Sequence, residues 1–459
     1  MSHAWDEAEE QVDRAHAHFE AGRWDEAETL LRRALEVQPQ RVDWRFNLGL
    51  TQESCGKHAA AAATFRACAE LEPDQPQHHL AWGENLLRAH RPADALPPLL
   101  KARDLDPDRL SAYVALIEAH SRTGGHEDAE VAFYRGLQTD DNHAPLFANM
   151  AEALMHAGRF DRAEGCLRRS LELNPLIPGV LPRLAECARR LGRPDEARRL
   201  YLKALREQPG DAETLLDFAD LLADMGRSGD ASEKYRRVLE LEPGHPDAHA
   251  GLGMLAFRQR RFDACVRHLR PVIKANPERL DVRVWLASAL MEQGATARAA
   301  ALAERGATRL LKSGLPEGID DHAVRDLARL LSETGHDRLA ARVLLTVWRS
   351  NPNDAALAHE IGSAALRCGR LRLGVSAERR AVALDPRLAE AWHNLALAYI
   401  NRGGWERAWL CVSRGLALRP GDPNFRRLRA LYLVRRLKAA LGRLSMRRRP
   451  APESLAAAP

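Results

Sequence analysis

The sequence predicts an all-α protein built from tandem helix–turn–helix repeats. Three observations predict it. Prolines recur every 34 residues, glycines recur in the same register, and two further columns hold small side chains almost throughout.

The proline column reads Pro39, Pro73, Pro107, Pro175, Pro209, Pro243, Pro277, Pro352, Pro386 and Pro420, with Asp141 at the vacant step. The glycine column reads Gly22, Gly56, Gly124, Gly158, Gly192, Gly226, Gly294, Gly335, Gly369 and Gly403, with His90 and Arg260 in place of two members. Both columns jump by 41 between the ninth and tenth units, so one unit is lengthened by seven residues. A period of this size marks an architecture in which each unit buries its apolar face against its neighbours.

Twelve units begin near Ala8, Val42, Pro76, Leu110, Ala144, Pro178, Ala212, Pro246, Leu280, Asp321, Ala355 and Ala389. Each reads as two helices. Glycine ends the first, because it takes the left-handed conformation without steric penalty. Asp or Glu soon afterwards (Asp25-Glu26, Asp161, Asp195-Glu196) suits the positive start of the second helix. Proline then stops that helix and opens the next unit.

The small columns predict how the helices cross. In the second helices the series is Ala27, Ala61, Ala95, Ala129, Ala163, Ala197, Ala231, Cys265, Ala299, Ala340, Gly374, Ala408. In the first helices it is Ala15, Gly49, Gly83, Ile117, Ala151, Ala185, Ala219, Gly253, Ala287, Ala328, Gly362, Ala396. Close crossing demands small residues. Ile117 departs from the pattern in a unit that also lacks its proline, so loose packing is expected there. Pro97-Pro98, inside the second helix of unit three, is expected to bend or loosen it.

Unit twelve, AEAWHNLALAYINRGGWERAWLCVSRGLALRPGD, carries Trp392, Leu395, Ala396, Tyr399, Gly403, Ala408 and Pro420 in the order of the tetratricopeptide repeat family. Residues 8–422 resemble that family. The resemblance implies a right-handed α-solenoid whose first helices line a concave groove. It also implies that the groove holds partner proteins or peptide segments and rarely carries chemistry itself. The organisation then reads as units one to nine over 1–320, units ten to twelve over 321–422, a basic amphipathic capping helix over 423–447, and a disordered tail over 448–459. The insertion lies in Lys312–Asp320. Phe425, Leu428, Leu431, Val434, Leu437, Leu441 and Leu444 would form one apolar stripe sealing the last repeat.

Composition narrows the function classes. The 459 residues are 45% hydrophobic and 5% aromatic, and no apolar run approaches the roughly 18–20 residues that span a bilayer. The polar, acidic start predicts no secretory signal. Seven scattered cysteines without a C-x-x-C pair point to reduced thiols in a cytoplasmic protein. The 61 Arg against 7 Lys suggest a GC-rich bacterial genome. No P-loop, G-x-S-x-G elbow or dinucleotide fingerprint is present. His16/His18 and His78/His79 are spaced so that they point in different directions on a helix. No catalysis, cofactor or metal is therefore expected.

The candidate groove residues fall in two columns. One is apolar (Val12, Phe46, Leu80, Val114, Ala148, Pro182, Leu216, Ala250, Val284) and then turns polar at Arg325, His359 and His393. Exposed apolar stripes mark partner sites; the alternative is that these side chains only touch neighbouring inner helices. The other column is acidic: Glu84, Glu118, Glu152, Glu186 and Asp220. Arg88, Arg122, His156 and Arg190 stand four residues on, where they can neutralise the acid within its own helix. Unit seven is the exception, since Glu213, Asp217, Asp220 and Asp224 form one acidic face that Arg183 and Arg190 answer only in part. A partner segment with apolar anchors and basic residues is the expectation. Asn47, Asn149 and Asn394 share an inner column and could bond a peptide backbone. The family's clamp for acidic chaperone tails needs a Lys column that is apolar here, so that partner is not expected.

Charge is uneven. Residues 423–449 hold ten basic side chains and no acid, among them Arg426, Arg427, Arg429, Arg435, Arg436, Lys438 and Arg443. They account for the net charge of +5, the preceding residues being net acidic. Such a helix suits an anionic membrane surface, the alternative function being a peripheral membrane-associated assembly factor. Nucleic acid ranks last, because few aromatics interleave with the arginines.

Overall fold

The computed structural model describes residues 2–314 and 321–447, with side chains over 5–314 and 321–438. Among them there are 25 helices and no strand. In order they are α1 (Ser2–Glu20), α2 (Trp24–Val37), α3 (Val42–Ser54), α4 (His58–Leu71), α5 (Pro76–Arg88), α6 (Pro92–Leu105), α7 (Leu110–Thr123) and α8 (His126–Thr139). There follow α9 (Ala144–His156), α10 (Phe160–Leu173), α11 (Val180–Arg190), α12 (Pro194–Glu207), α13 (Ala212–Asp224), α14 (Ser228–Leu241), α15 (Pro246–Arg258), α16 (Phe262–Ala275) and α17 (Leu280–Glu292). The last are α18 (Thr296–Ser313), α19 (Asp321–Glu333), α20 (Asp337–Trp348), α21 (Ala355–Arg367), α22 (Leu371–Leu384), α23 (Ala389–Asn401), α24 (Trp405–Leu418) and α25 (Pro423–Arg447). Ten of the twelve expected unit starts coincide with a helix start. The first helix begins earlier, at Ser2, and α11 begins two residues late because Gly179 makes a left-handed turn (φ 72°) ahead of it.

Every glycine of the turn column lies in the left-handed region, and His90 (φ 56°) and Arg260 (φ 57°) are held there too. The turn geometry is thus imposed by the pairing of the helices, whether or not a glycine is present to accept it.

Both small columns are buried throughout. Their purpose shows sixteen residues further on, where the second helix brings a bulky side chain over the small residue: Phe65 over Gly49, Leu99 over Gly83, Leu269 over Gly253. A Cβ on those glycines would overlap the ring or the isobutyl group. Ile117 is fully buried rather than loosely packed. Pro97-Pro98 does not end α6, which runs the full 14 residues of its counterparts.

A third device is not visible in the periodicity. The fourth residue of many units donates a hydrogen bond to the carbonyl of the turn proline six residues earlier. His79 reaches Pro73 (2.8 Å), Tyr113 reaches Pro107 (2.9 Å), Arg283 reaches Pro277 (2.5 Å) and Trp392 reaches Pro386 (2.9 Å). Any donor of the right length serves, so residue identity scatters while the bond persists. Arg426 of α25 does the same to Pro420 at 3.3 Å, so α25 starts as the first helix of a further unit would.

The chain forms two compact units, Met1–Leu241 and Glu242–Pro459. The insertion lies inside the second of these units. One core runs across it, joining Leu310 of α18 to Val324 and Leu327 of α19. Part of the insertion is absorbed by α18, at 18 residues the longest of the second helices; residues 315–320 lie outside the described structure. All seven cysteines are free, and burial pushes the thiols of Cys68 and Cys187 up to about 12.

Candidate partner-binding surface

In the unit Met1–Leu241 the first helices touch in succession, α5 with α7, α7 with α9, α9 with α11 and α11 with α13, and so form one layer. The apolar column is spent inside that layer. Val12, Leu80 and Ala148 are buried, while Phe46 and Val114 are half-buried. Phe46 packs edge-on against Phe65 with ring centres 5.1 Å apart. The expectation of an exposed apolar stripe is corrected: closely spaced helices leave these side chains in the seams.

The acidic column is neutralised differently from its four-residue spacing. Glu118 does pair with Arg122 (2.8 Å), but Arg88 turns away from Glu84 to Glu53 on the preceding first helix. Glu152 takes Arg183 (3.0 Å) while His156 bonds Ser121 (2.8 Å). Glu186 pairs closely with Arg189 (2.6 Å) and only loosely with Arg190 (3.8 Å). The same position one unit away is as near as one turn along the helix, and the longer arginine arm takes it. The asparagines are engaged as well. Asn47 bonds His16 (3.0 Å), Asn149 caps back on Pro145 (3.0 Å), and Asn394 donates to Glu378 (2.7 Å).

Unit seven keeps an acidic focus, although its four acids are not all unanswered. Asp224 meets Arg189 (3.3 Å) instead of Arg183 or Arg190, and Asp220 accepts from the Tyr235 hydroxyl. Glu213 is exposed. Asp217 makes no ion pair among the described residues. Its burial, then the charges of Glu186, Asp220 and Glu213, push its pKa up to about 6. Near it the hydroxyl of Tyr201 is fully buried and, among the described residues, has no hydrogen-bond partner. Burial, then Asp217 and Glu186, raise that phenol's pKa. A buried hydroxyl lacking a partner is uncommon and costs roughly 1–3 kcal/mol.

In the unit Glu242–Pro459 the polar rungs Arg325 and His359 line a cleft of about 790 Å³ between α19 and α21, together with His322, Arg329, Glu360 and Arg367. Its arginines are internally matched: Arg325 to Glu360 (2.7 Å) and Asp354 (3.0 Å), Arg367 to Asp337 (2.7 Å). Beneath the cleft Glu378 is wholly buried and accepts from His359 (2.9 Å).

The terminal helix departs from expectation. Phe425, Leu428 and Tyr432 dock, Tyr432 stacking on Trp409 with ring centres 4.7 Å apart. Leu431 (48%), Val434 (49%) and Leu437 (64%) remain exposed, with Leu433. The apolar residues are thus not one sealing stripe. At 25 residues the helix carries two apolar stripes, of which only the first meets α24. Arg435 lies over the Trp405 ring at 4.7 Å. The side chains of Leu441, Arg443 and Leu444 fall outside those described.

A profile of the tetratricopeptide repeat family matches residues 12–76, 80–145, 149–212, 216–264 and 253–310. The chain belongs to the tetratricopeptide repeat family. Its fold is a helical solenoid of such repeats, and proteins of this family act as protein-interaction scaffolds, typically without catalysis. No curated protein matches the sequence. Among solved structures, Pseudomonas aeruginosa PilF is 20% identical over 46% of this chain and 97% of its own, with TM-score 0.41. Yeast Tom70 is 16% identical over 94% and 96%, with TM-score 0.40. YrrB, described as a TPR protein with an unusual peptide-binding site, is 18% identical over 50% and 97%, with TM-score 0.33. Among the described residues, no helix is long and apolar enough to cross a membrane.

Repeat register could have found two of the residues missed above. Tyr201 and Glu378 both occupy the bulky column that covers the small one, where Leu31, Phe65, Leu99 and Leu167 are the norm. A hydroxyl and a carboxylate in that column are the signal. Arg189 could not be found this way, since its two acids lie on different helices.

Proposed function

We propose that this repeat protein is a non-catalytic scaffold whose first-helix layer holds an extended or helical segment of a partner. A basic side chain of that segment is received at α11–α13. The observation that carries this is the buried hydroxyl of Tyr201, partnerless among the described residues, near the carboxylate of Asp217. A lysine or arginine would bring the pKa of Asp217 back towards its ordinary value and could donate a hydrogen bond to the Tyr201 oxygen. Half-buried Phe46 and Val114, with Glu84 and Glu118, extend the same layer towards earlier units.

The test is selection of phage-displayed peptides on the full chain and on Asp217→Asn. Enrichment of basic residues on the natural chain and its loss on the variant is the expected result. Identical peptide pools would overturn the reading.

A second reading is favoured by one specific feature, the exposed stripe Ala430, Leu433, Val434 and Leu437. It lies opposite the docked face of α25 and is flanked by Arg427 and Lys438 on one side and by Arg429 and Arg436 on the other. An apolar stripe between basic rims suits the surface of an anionic bilayer. Flotation with phosphatidylserine vesicles, compared with neutral ones, tests it. Leu433→Asp with Leu437→Asp should abolish flotation while leaving the docked residues intact; unchanged flotation would defeat it.

A further inference from the structure

A second cleft, of about 710 Å³, opens between α16, α17 and α18 and uses none of the residues assigned above. We propose that it binds a small ligand carrying two or more linked phosphate groups, held by Arg283, Arg305, Arg309 and Lys312.

Arg283 is only 5% exposed. Among the described residues it makes no ion pair, and its bond goes to the neutral carbonyl of Pro277. A guanidinium taken out of water needs an anion, and a carbonyl does not supply the charge. Its path under α18 is built into the sequence: a Cβ on Gly306 would stand 2.6 Å from Arg283 Cδ, so only glycine lets the arm through to the cleft. Burial, then the charges of Arg309 and Arg305, disfavour its protonated form and outweigh the opposing charge of Glu278, and an anion in the cleft would relieve this.

The remaining cations stand on one face of α18. Arg305, Arg309 and Lys312 follow steps of four and three, with Thr308 among them. Only Arg309 has a carboxylate partner, Glu278. The other acid at the rim, Glu304, is engaged by His336 at 2.6 Å. Arg305 and Lys312 make no ion pair among the described residues. Among the described residues, three of the four cations that line the cleft thus make no ion pair, against the single lining carboxylate of Glu304, an excess of positive charge that suits phosphate.

Dimensions select the ligand class. Arg305 to Lys312 spans about 10 Å of helix, more than one phosphate covers. The cavity lies within the roughly 300–1,000 Å³ usual for small-molecule sites and is too confined for a nucleic-acid strand. The lengthened unit now has a use, because the final turn of α18 supplies Lys312.

The experiment is isothermal titration of the full chain with inorganic pyrophosphate and, separately, with adenosine diphosphate. Saturable binding is expected, weakened at least about tenfold by Arg305→Gln with Lys312→Gln. Arg199→Gln with Lys203→Gln, an exposed pair on α12, should leave it unchanged. Tighter binding of the nucleotide would identify a nucleotide ligand, and equal binding would identify the diphosphate alone as the recognised group. Arg283 is left intact because it also holds the Pro277 turn. Absence of saturable heat with both ligands overturns the proposal, as does binding that survives the first pair or falls equally with the second.

Discussion

His359 and Glu378 form a 2.9 Å pair in which the carboxylate is wholly buried at a position that other units fill with a core hydrophobe. Burial raises the pKa of Glu378, against the opposing bonds from His359 and Asn394. For His359 burial acts downward, but the hydrogen bond and charge of Glu378, with Glu390 and Glu360 farther off, outweigh it and raise the value above 6.5. A group raised on folding stabilises the fold below its ordinary pKa and loses that contribution as pH climbs through the raised one. Both members act in this sense.

The melting temperature should therefore fall as pH climbs above 6.5. Glu378→Leu, which restores the column, should flatten the pH dependence, and combined with His359→Leu, so that neither partner is stranded, should raise stability by about 1–4 kcal/mol. His359→Ala, which strands the carboxylate, should cost about 3 kcal/mol. Calorimetry across pH decides the matter, and a Glu378→Leu profile parallel to that of the natural chain would refute the assignment.

Asp217 gives the opposite pH signature for binding and for stability. With its pKa pushed up to about 6, it is charged at neutral pH at a cost to the fold. Asp217→Asn should stabilise by about 1 kcal/mol near pH 8, once solvent screening of a half-buried group is allowed for, and by almost nothing near pH 3, below the ordinary carboxylate value of 3.8. Affinity for a basic peptide should instead rise as pH climbs through about 6. Denaturant titrations at the two pH values check the first statement, and fluorescence polarisation with a selected peptide checks the second.

The helix pairs were legible because their constraints are local and repeat: a left-handed turn, a stop and a small residue at each crossing recur in register. That the four acids of unit seven share a helix face was legible for the same reason, but not that Arg189 and Tyr235 answer Asp224 and Asp220. What escaped depends on reach across units. Arg88 and Arg189 choose acids on neighbouring helices, which spacing within one helix cannot rank. The apolar column misled because alternate burial in a seam and exposure in a groove share one periodicity. The overhang of α25 escaped because length, not pattern, leaves Leu437 without a neighbour.

His90 and Arg260 hold left-handed backbone that costs an L-residue roughly 1–2 kcal/mol. His90→Gly should therefore stabilise by about 0.5–1 kcal/mol after the added freedom of the unfolded chain is subtracted. Arg260→Gly should gain less, because it gives up the Glu292 pair at 3.5 Å and the contact over Phe262. Gly158→Ala, at φ 72° with open space around it, should lose about 1 kcal/mol through backbone strain alone. Urea titrations of the three variants rank them, and an unchanged His90→Gly would mean that the histidine is not strained.

Gly253 and Leu269 test the crossing rule itself. A Cβ on Gly253 would fall within 2.6 Å of Leu269 Cγ, and Leu269 is 1% exposed, so it has nowhere to retreat. Gly253→Ala should cost about 1–3 kcal/mol by overpacking. Leu269→Ala alone should cost about 2–5 kcal/mol by leaving a cavity. Together they recreate the pair that unit nine already uses, Ala287 under Ala303, both fully buried. The new methyl then fills part of the space the leucine leaves. The double variant should accordingly lose less than the two single losses combined, by at least about 1 kcal/mol. Strict additivity in that cycle would show that the small column is not set by the side chain crossing over it.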